Sequence, residues 1–169
     1  MNFVFNTVFE DEFIRIDHDA HLGLVMAVWL QHPDSETFRR GFSLAGEVVL
    51  KHQCRYWLSD SRQVHYLEIA DQNWILNHMA PLLGNSSLNK FARINSIEGL
   101  SLQDLDRVMH LLEFSPHLKS DLEIAVFLDL EQSVQWLFSS HNHLPLDESP
   151  RQATSLAFDL SPEPASSGS

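Results

Sequence analysis

The sequence predicts a single α/β domain, a mixed sheet with an N-terminal antiparallel meander followed by strands joined through helical crossovers, in the order βββαβαβαβα. Three observations carry this. Three short apolar strand patterns stand at the start, with only turns between them. Apolar residues recur at three- and four-residue spacing between Phe38 and His52. Directly after that stripe an apolar run, Tyr56-Trp57-Leu58, gives way to the polar Ser59-Asp60-Ser61-Arg62. A strand, a helix and another strand in that order place the two strands parallel, because the helix must cross over.

Taken in order, Phe3 to Phe9 and Phe13 to His18 read as strands around the acidic turn Glu10-Asp11-Glu12. Leu24 to Leu30 is apolar on both faces and belongs inside the sheet. Pro33-Asp34-Ser35 ends that strand and supplies a helix cap, and Phe38, Phe42, Ala45, Val49 and His52 form the inward stripe of a helix of about five turns. Arg55 to Leu58 is the next strand. Asp71 is the expected cap of a helix whose inward stripe is Trp74, Ile75, His78, Met79 and Leu82, and Pro81 is expected to kink or end it. After the loop at Gly84-Asn85-Ser86-Ser87 come a short strand, Phe91 to Ile94, and a helix opened by a box at Ser101 to Asp104. Leu122 to Leu128 is the last strand, and Asp129 caps a short closing helix.

A length of 169 residues with 44% hydrophobic content supports one core and does not call for two. The domain is expected over 1–138. From Ser139 onward Ser, Pro, His and acidic residues dominate, so 139–169 reads as an acidic disordered tail, with Thr154 to Leu160 as a short docking segment.

The charge of −12 argues against a nucleic-acid partner, because a duplex repels such a surface. A single cysteine, Cys54, excludes an internal disulfide and fits a reducing, cytoplasmic setting. No signal-peptide pattern opens the chain, and no apolar run approaches the roughly 20 residues of a membrane helix. No Walker loop, Gly-x-Gly-x-x-Gly, CxxC or Gly-x-Ser-x-Gly elbow is present. No cofactor is therefore expected, and the domain is read as non-enzymatic.

The candidate site lies where the central strand surfaces at its carboxyl end, the place where open α/β sheets put ligands. Asp60 and Arg62 stand two apart there, either converging on a polar ligand or pairing with each other to clip the strand end. Ser61, His65 and Tyr66 follow in the loop. Asp71, Gln72 and Trp74 open the next helix, where free backbone N–H groups suit an anion and the indole suits a flat ligand; an N-cap carboxylate and a core tryptophan explain the same residues. Ser59 or Ser61 with His65 and Asp60 contains the residue types of a hydrolase without its elbow. His18-Asp19-Ala20-His21 and His141-Asn142-His143 are the closest histidine pairs, and neither has a second cluster at metal-ligand spacing.

The Trp57 to Arg62 strand end, the Ala70-Asp71-Gln72-Asn73-Trp74-Ile75 helix start with Pro81 beyond it, and Phe127-Leu128-Asp129 with Gln135-Trp136-Leu137 resemble small bacterial STAS/SEC14-like proteins. The resemblance covers about residues 3 to 138. It implies a regulatory domain acting through protein contacts, with a partner protein or a second copy. In anti-sigma-factor antagonists of this type a serine between strand and helix is phosphorylated to break an interface. The nearest match here is Asp60-Ser61, with Arg62 and Gln63 in place of the second hydroxyl and the glycine. The lipid-transfer side of the family implies instead an apolar cavity, and the alternative reading of these residues is a small-ligand module in which the helices carrying Trp74, Met79, Met109 and Leu112 part to leave an apolar pocket with Asp60 and Arg62 at its mouth.

Overall fold

The computed structural model describes residues 2–102, 107, 108, 111, 115–118 and 121–139. Six strands form one sheet in sequential order. β1 (Asn6–Glu10), β2 (Ile14–Asp19) and β3 (Leu24–Trp29) are antiparallel neighbours, and β4 (Tyr56–Asp60), β5 (Lys90–Ile94) and β6 (Glu123–Phe127) continue the sheet in parallel from β3. The expected α/β architecture, with its antiparallel opening and parallel continuation, is what the chain adopts. Its compact unit runs Met1–Ser139. The expectations for the tail, for Met109 and Leu112 and for His141 and His143 lie outside the described residues.

Alternation along β3 and β4 divides the core between the two faces of the sheet. Val25, Ala27, Trp29 and Trp57 face α1 (Ser35–His52), whereas Leu24 and Leu58 face α5 (Leu130–Phe138). The stripe Phe38, Phe42, Ala45 and Val49 of α1 is buried as its spacing requires. His52 departs from it. One position past the last full turn that packs on the sheet, it is exposed and lays its ring on His18 of β2, with centroids 4.2 Å apart. Gly41 lets α1 approach the sheet: a Cβ there would stand 2.7 Å from Cη2 of Trp29. Cys54 is fully buried, and burial pushes its thiol up to about 11, which removes it as a nucleophile at neutral pH.

Two expected boundaries move. The second helix, α2 (Ile69–Trp74), starts two residues before Asp71, with Glu68 at the cap position making no side-chain bond. Asp71 is occupied elsewhere, as described below. Pro81 does not end the helical run. A π turn over Ile75–Met79 intervenes, Ala80 N–H reaches the carbonyl of Ile75, and α3 (Ala80–Gly84) continues with Pro81 in its first turn. Proline has no N–H to give to the turn before it, and the wider π turn at that point is where the continuing run absorbs the missing bond and the ring. A further helix, α4 (Ile97–Leu102), starts with Ser96 Oγ accepting the N–H of Gly99 at 2.9 Å; the helix expected to open at Ser101 to Asp104 lies largely outside the described residues.

At the far end Asp129 Oδ1 accepts the Gln132 N–H at 2.8 Å and caps α5 as expected. Lys90, buried on β5, donates to the Trp136 carbonyl at 2.8 Å and to the Ser139 carbonyl at 3.1 Å, with its ammonium 4.9 Å above the Trp136 ring. A cation at that terminus offsets the negative end of the helix dipole.

Candidate functional site

The site is built on the carboxyl end of β4. Trp57, Leu58, Ser59 and Asp60 are all buried, and Ser61 extends the pairing by donating its N–H to the Ile94 carbonyl at 2.8 Å. Beyond it the chain turns, with Val64 N–H bonded to the Ser61 carbonyl. Ser61, Val64 and Leu67, three residues apart, point inward; Arg62, Gln63, His65, Tyr66, Glu68 and Ile69 are exposed. Inward anchors every third residue fix the loop and leave its outward side chains for contact.

Asp60 and Arg62 pair with each other. Nε and one terminal nitrogen of Arg62 stand 2.9 and 2.6 Å from the two carboxylate oxygens, and the Asp60 carboxylate holds the guanidinium above its usual range. Ser61 is buried, its hydroxyl 3.0 Å from that of Ser59. Asp71 is buried as well. It accepts from Ser35 Oγ at 2.7 Å and Arg39 Nε at 2.8 Å, so it ties the start of α1 to α2. Gln72 donates to the Leu67 carbonyl at 3.1 Å and accepts from Arg107 at 2.8 Å. Trp74 is half-buried, edge-on to Phe42 and stacked on His78. Of the eight sequence candidates, Asp60, Ser61, Asp71, Gln72 and Trp74 thus hold the corner together, and His65, Tyr66 and Arg62 present it to solvent.

The structure adds residues that the sequence did not single out. His32, three residues past the end of β3, accepts the His65 N–H on Nδ1 at 3.2 Å, and its ring lies 5.5 Å from that of His65 and 4.4 Å from that of Tyr66. Burial, and then the neighbouring His65, hold the imidazole below its ordinary value. Next to it a cleft of about 360 Å³ opens between the start of α1 and the loop. Its apolar lining is Pro33, Phe38, Val64 and Leu67; Asp34, Glu36, Glu68 and Asp71 supply carboxylates. His32 stands two residues before the Asp34 cap of α1, and its partner His65 is 33 residues away, so no local pattern announces the pairing.

The His32 geometry predicts a pH dependence. A histidine whose folded pKa lies below its unfolded value makes the unfolded state the better proton binder, so stability falls as pH drops from about 6.5 through the folded value. Burial, then His52, lowers His18 in the same direction, against an opposing pull from Asp19. Urea midpoints at pH 7.5 and 5.5 should therefore fall on acidification, and the fall should be smaller in His32→Gln. An equal fall in both proteins would remove His32 as a contributor.

A second polar group lies under the sheet end. Arg93 of β5 is buried and donates from Nε to Asn95 Oδ1 at 3.1 Å; burial lowers its guanidinium to about 10. Among the described residues Nδ2 of Asn95, also fully buried, has no hydrogen-bond partner. Among the described residues no three His, Cys, Asp or Glu side chains gather as a metal site, and no helix is long and apolar enough to cross a membrane. Of the residues expected to line an apolar pocket, Met79 is buried, with its methyl 3.1 Å from where a Cβ on Gly46 would stand, and Trp74 is half-buried; Met109 and Leu112 lie outside the described residues. No protein-family model, no curated protein and no solved structure matches the chain.

Proposed function

We propose that the chain is a non-enzymatic binding module that works through protein contacts, with the loop from Ser61 to Ile69 and the adjoining start of α1 as its working face. One observation carries this: Tyr66 on the loop and Ile69 at the first position of α2 are 51% and 68% exposed, beside a loop pinned by buried Ser61, Val64 and Leu67. Large apolar side chains held out on a fixed support are what contact surfaces present, aromatic anchors above all. The resemblance to STAS/SEC14-like domains supports the same reading. Against a hydrolase stands Ser61, whose hydroxyl is buried and bonded to Ser59, while the neighbouring His65 lies against His32. A nucleophile needs a base within hydrogen-bond reach and room for the reacting carbonyl.

The test is site-specific photo-crosslinking in the cell, with p-benzoylphenylalanine at position 69 and, as control, at exposed Glu47, three turns along α1 from the loop. A discrete adduct from position 69, to a second copy or to one other protein, and none from position 47 is expected. No adduct, or the same adducts from both positions, would overturn the assignment of this face.

A further inference from the structure

The cleft beside the loop narrows the kind of partner the face accepts. We propose that it takes the side chain of a lysine or arginine presented by a basic segment of a partner protein, an inference that rests on the protein-contact reading above. The floor is apolar, made by Phe38, Val64 and Leu67, and the volume of about 360 Å³ lies at the small end of ligand pockets. Such a floor suits an aliphatic stem, and a carboxylate rim suits its charged head.

Two of the four carboxylates are committed: Asp71 to Ser35 and Arg39, and Asp34 to the Thr37 N–H of the α1 cap. Glu36 and Glu68 are not. Both are exposed, and among the described residues neither side chain has a hydrogen bond or an ion pair. Among the described residues no lysine or arginine lines the cleft.

The start of α1 also faces the cleft, and its dipole works against a cation. That end carries roughly half a positive charge. Asp34 at the cap and Glu36 in the first turn outweigh it, and Glu68 adds a further negative charge from the opposite wall. An anion would therefore meet net repulsion, and a cation net attraction. The Tyr66 ring, next to His32 on the same wall, provides a face against which a guanidinium or ammonium can lie. The charge of −12 on the whole chain favours the approach of a basic segment, and the cleft gives it a specific place to stop.

The experiment uses fluorescein-labelled acetyl-hexalysine amide and the full chain, with binding read by anisotropy at low salt. Because diffuse attraction to an acidic protein also binds such a probe, two charge-matched double variants are compared. Glu36→Gln with Glu68→Gln removes the rim; Glu10→Gln with Glu47→Gln removes two exposed carboxylates elsewhere. The rim variant should bind about fivefold to tenfold more weakly, the loss of two exposed charge contacts, and the control should stay within about twofold. Equal weakening in both variants, unchanged binding in the rim variant, or no binding to the native chain would overturn the proposal. Circular dichroism confirms that both variants fold. If the cross-link from position 69 persists while hexalysine ignores the rim, this inference fails and the contact face stands; loss of the cross-link alone removes the face instead.

Discussion

Replacing Phe42 by Ala is expected to lower the unfolding free energy by about 3–5 kcal/mol, the range for deleting a buried aromatic side chain. Phe42 sits where α1 meets the sheet, with ring centroids 5.6 Å from Phe38, 4.9 Å from Trp57, 6.5 Å from Trp74 and 6.3 Å from Phe91. One truncation therefore strips a contact from α1, β4, α2 and β5 together. Aromatic pairs add about 0.5–1.5 kcal/mol beyond area, so the loss should lie in the upper part of the range. Domains of this kind hold about 5–15 kcal/mol in all, and the variant may be read by urea denaturation only if some stability remains. Phe42→Leu covers the other case, keeping most of the volume and losing the ring pairings. A change below about 1 kcal/mol for Phe42→Ala would mean that the aromatic cluster does not carry the core.

Two ion pairs of similar geometry should respond very differently to deletion. Asp71→Ala removes a buried carboxylate that bonds Ser35 Oγ and Arg39 Nε, residues 36 and 32 positions away, and so separates α1 from α2. Hydrogen bonds to a charged group contribute about 1.5–3 kcal/mol, and the loss should fall there, tempered by an Arg39 side chain that is 38% exposed. Asp60→Ala breaks a shorter contact, yet its partner Arg62 is two residues away and 48% exposed, so it should cost less than about 1 kcal/mol. Denaturation midpoints of the two variants decide the matter. A double-mutant cycle of Ser35→Ala with Asp71→Ala should show coupling, and independence of the two changes would refute the tie between the helices.

These cases also show what was legible in the sequence. Period 3.6 in Phe38, Phe42, Ala45 and Val49 dictates which face of α1 is buried, because burial of a helix stripe is a local property of spacing. The apolar run of β3 likewise announces a strand covered on both faces. The site was legible only in part. Asp60 and Arg62 are neighbours in the chain, and their pairing was one of two readings open from spacing alone. Asp71 looked like a cap because a carboxylate before an amphipathic run caps helices; its actual partners lie on α1, beyond any local window. His32, Glu36 and Glu68 were missed for the same reason, since the cleft exists only once the crossover brings the start of α1 against the loop. No spacing rule announces the π turn, and Pro81 alone pointed to an irregularity there.

The sequential order of the sheet has a consequence for synthesis. Every strand lies beside the one made just before it, so each strand leaving the ribosome finds its docking edge already in place. A nascent chain emerged as far as Asp60 contains four mutually paired strands and the whole of α1, and β5 and β6 then add one at a time. No strand waits exposed for a later one to be inserted between it and its neighbour. The sheet can grow by accretion at a single edge, in the direction of translation.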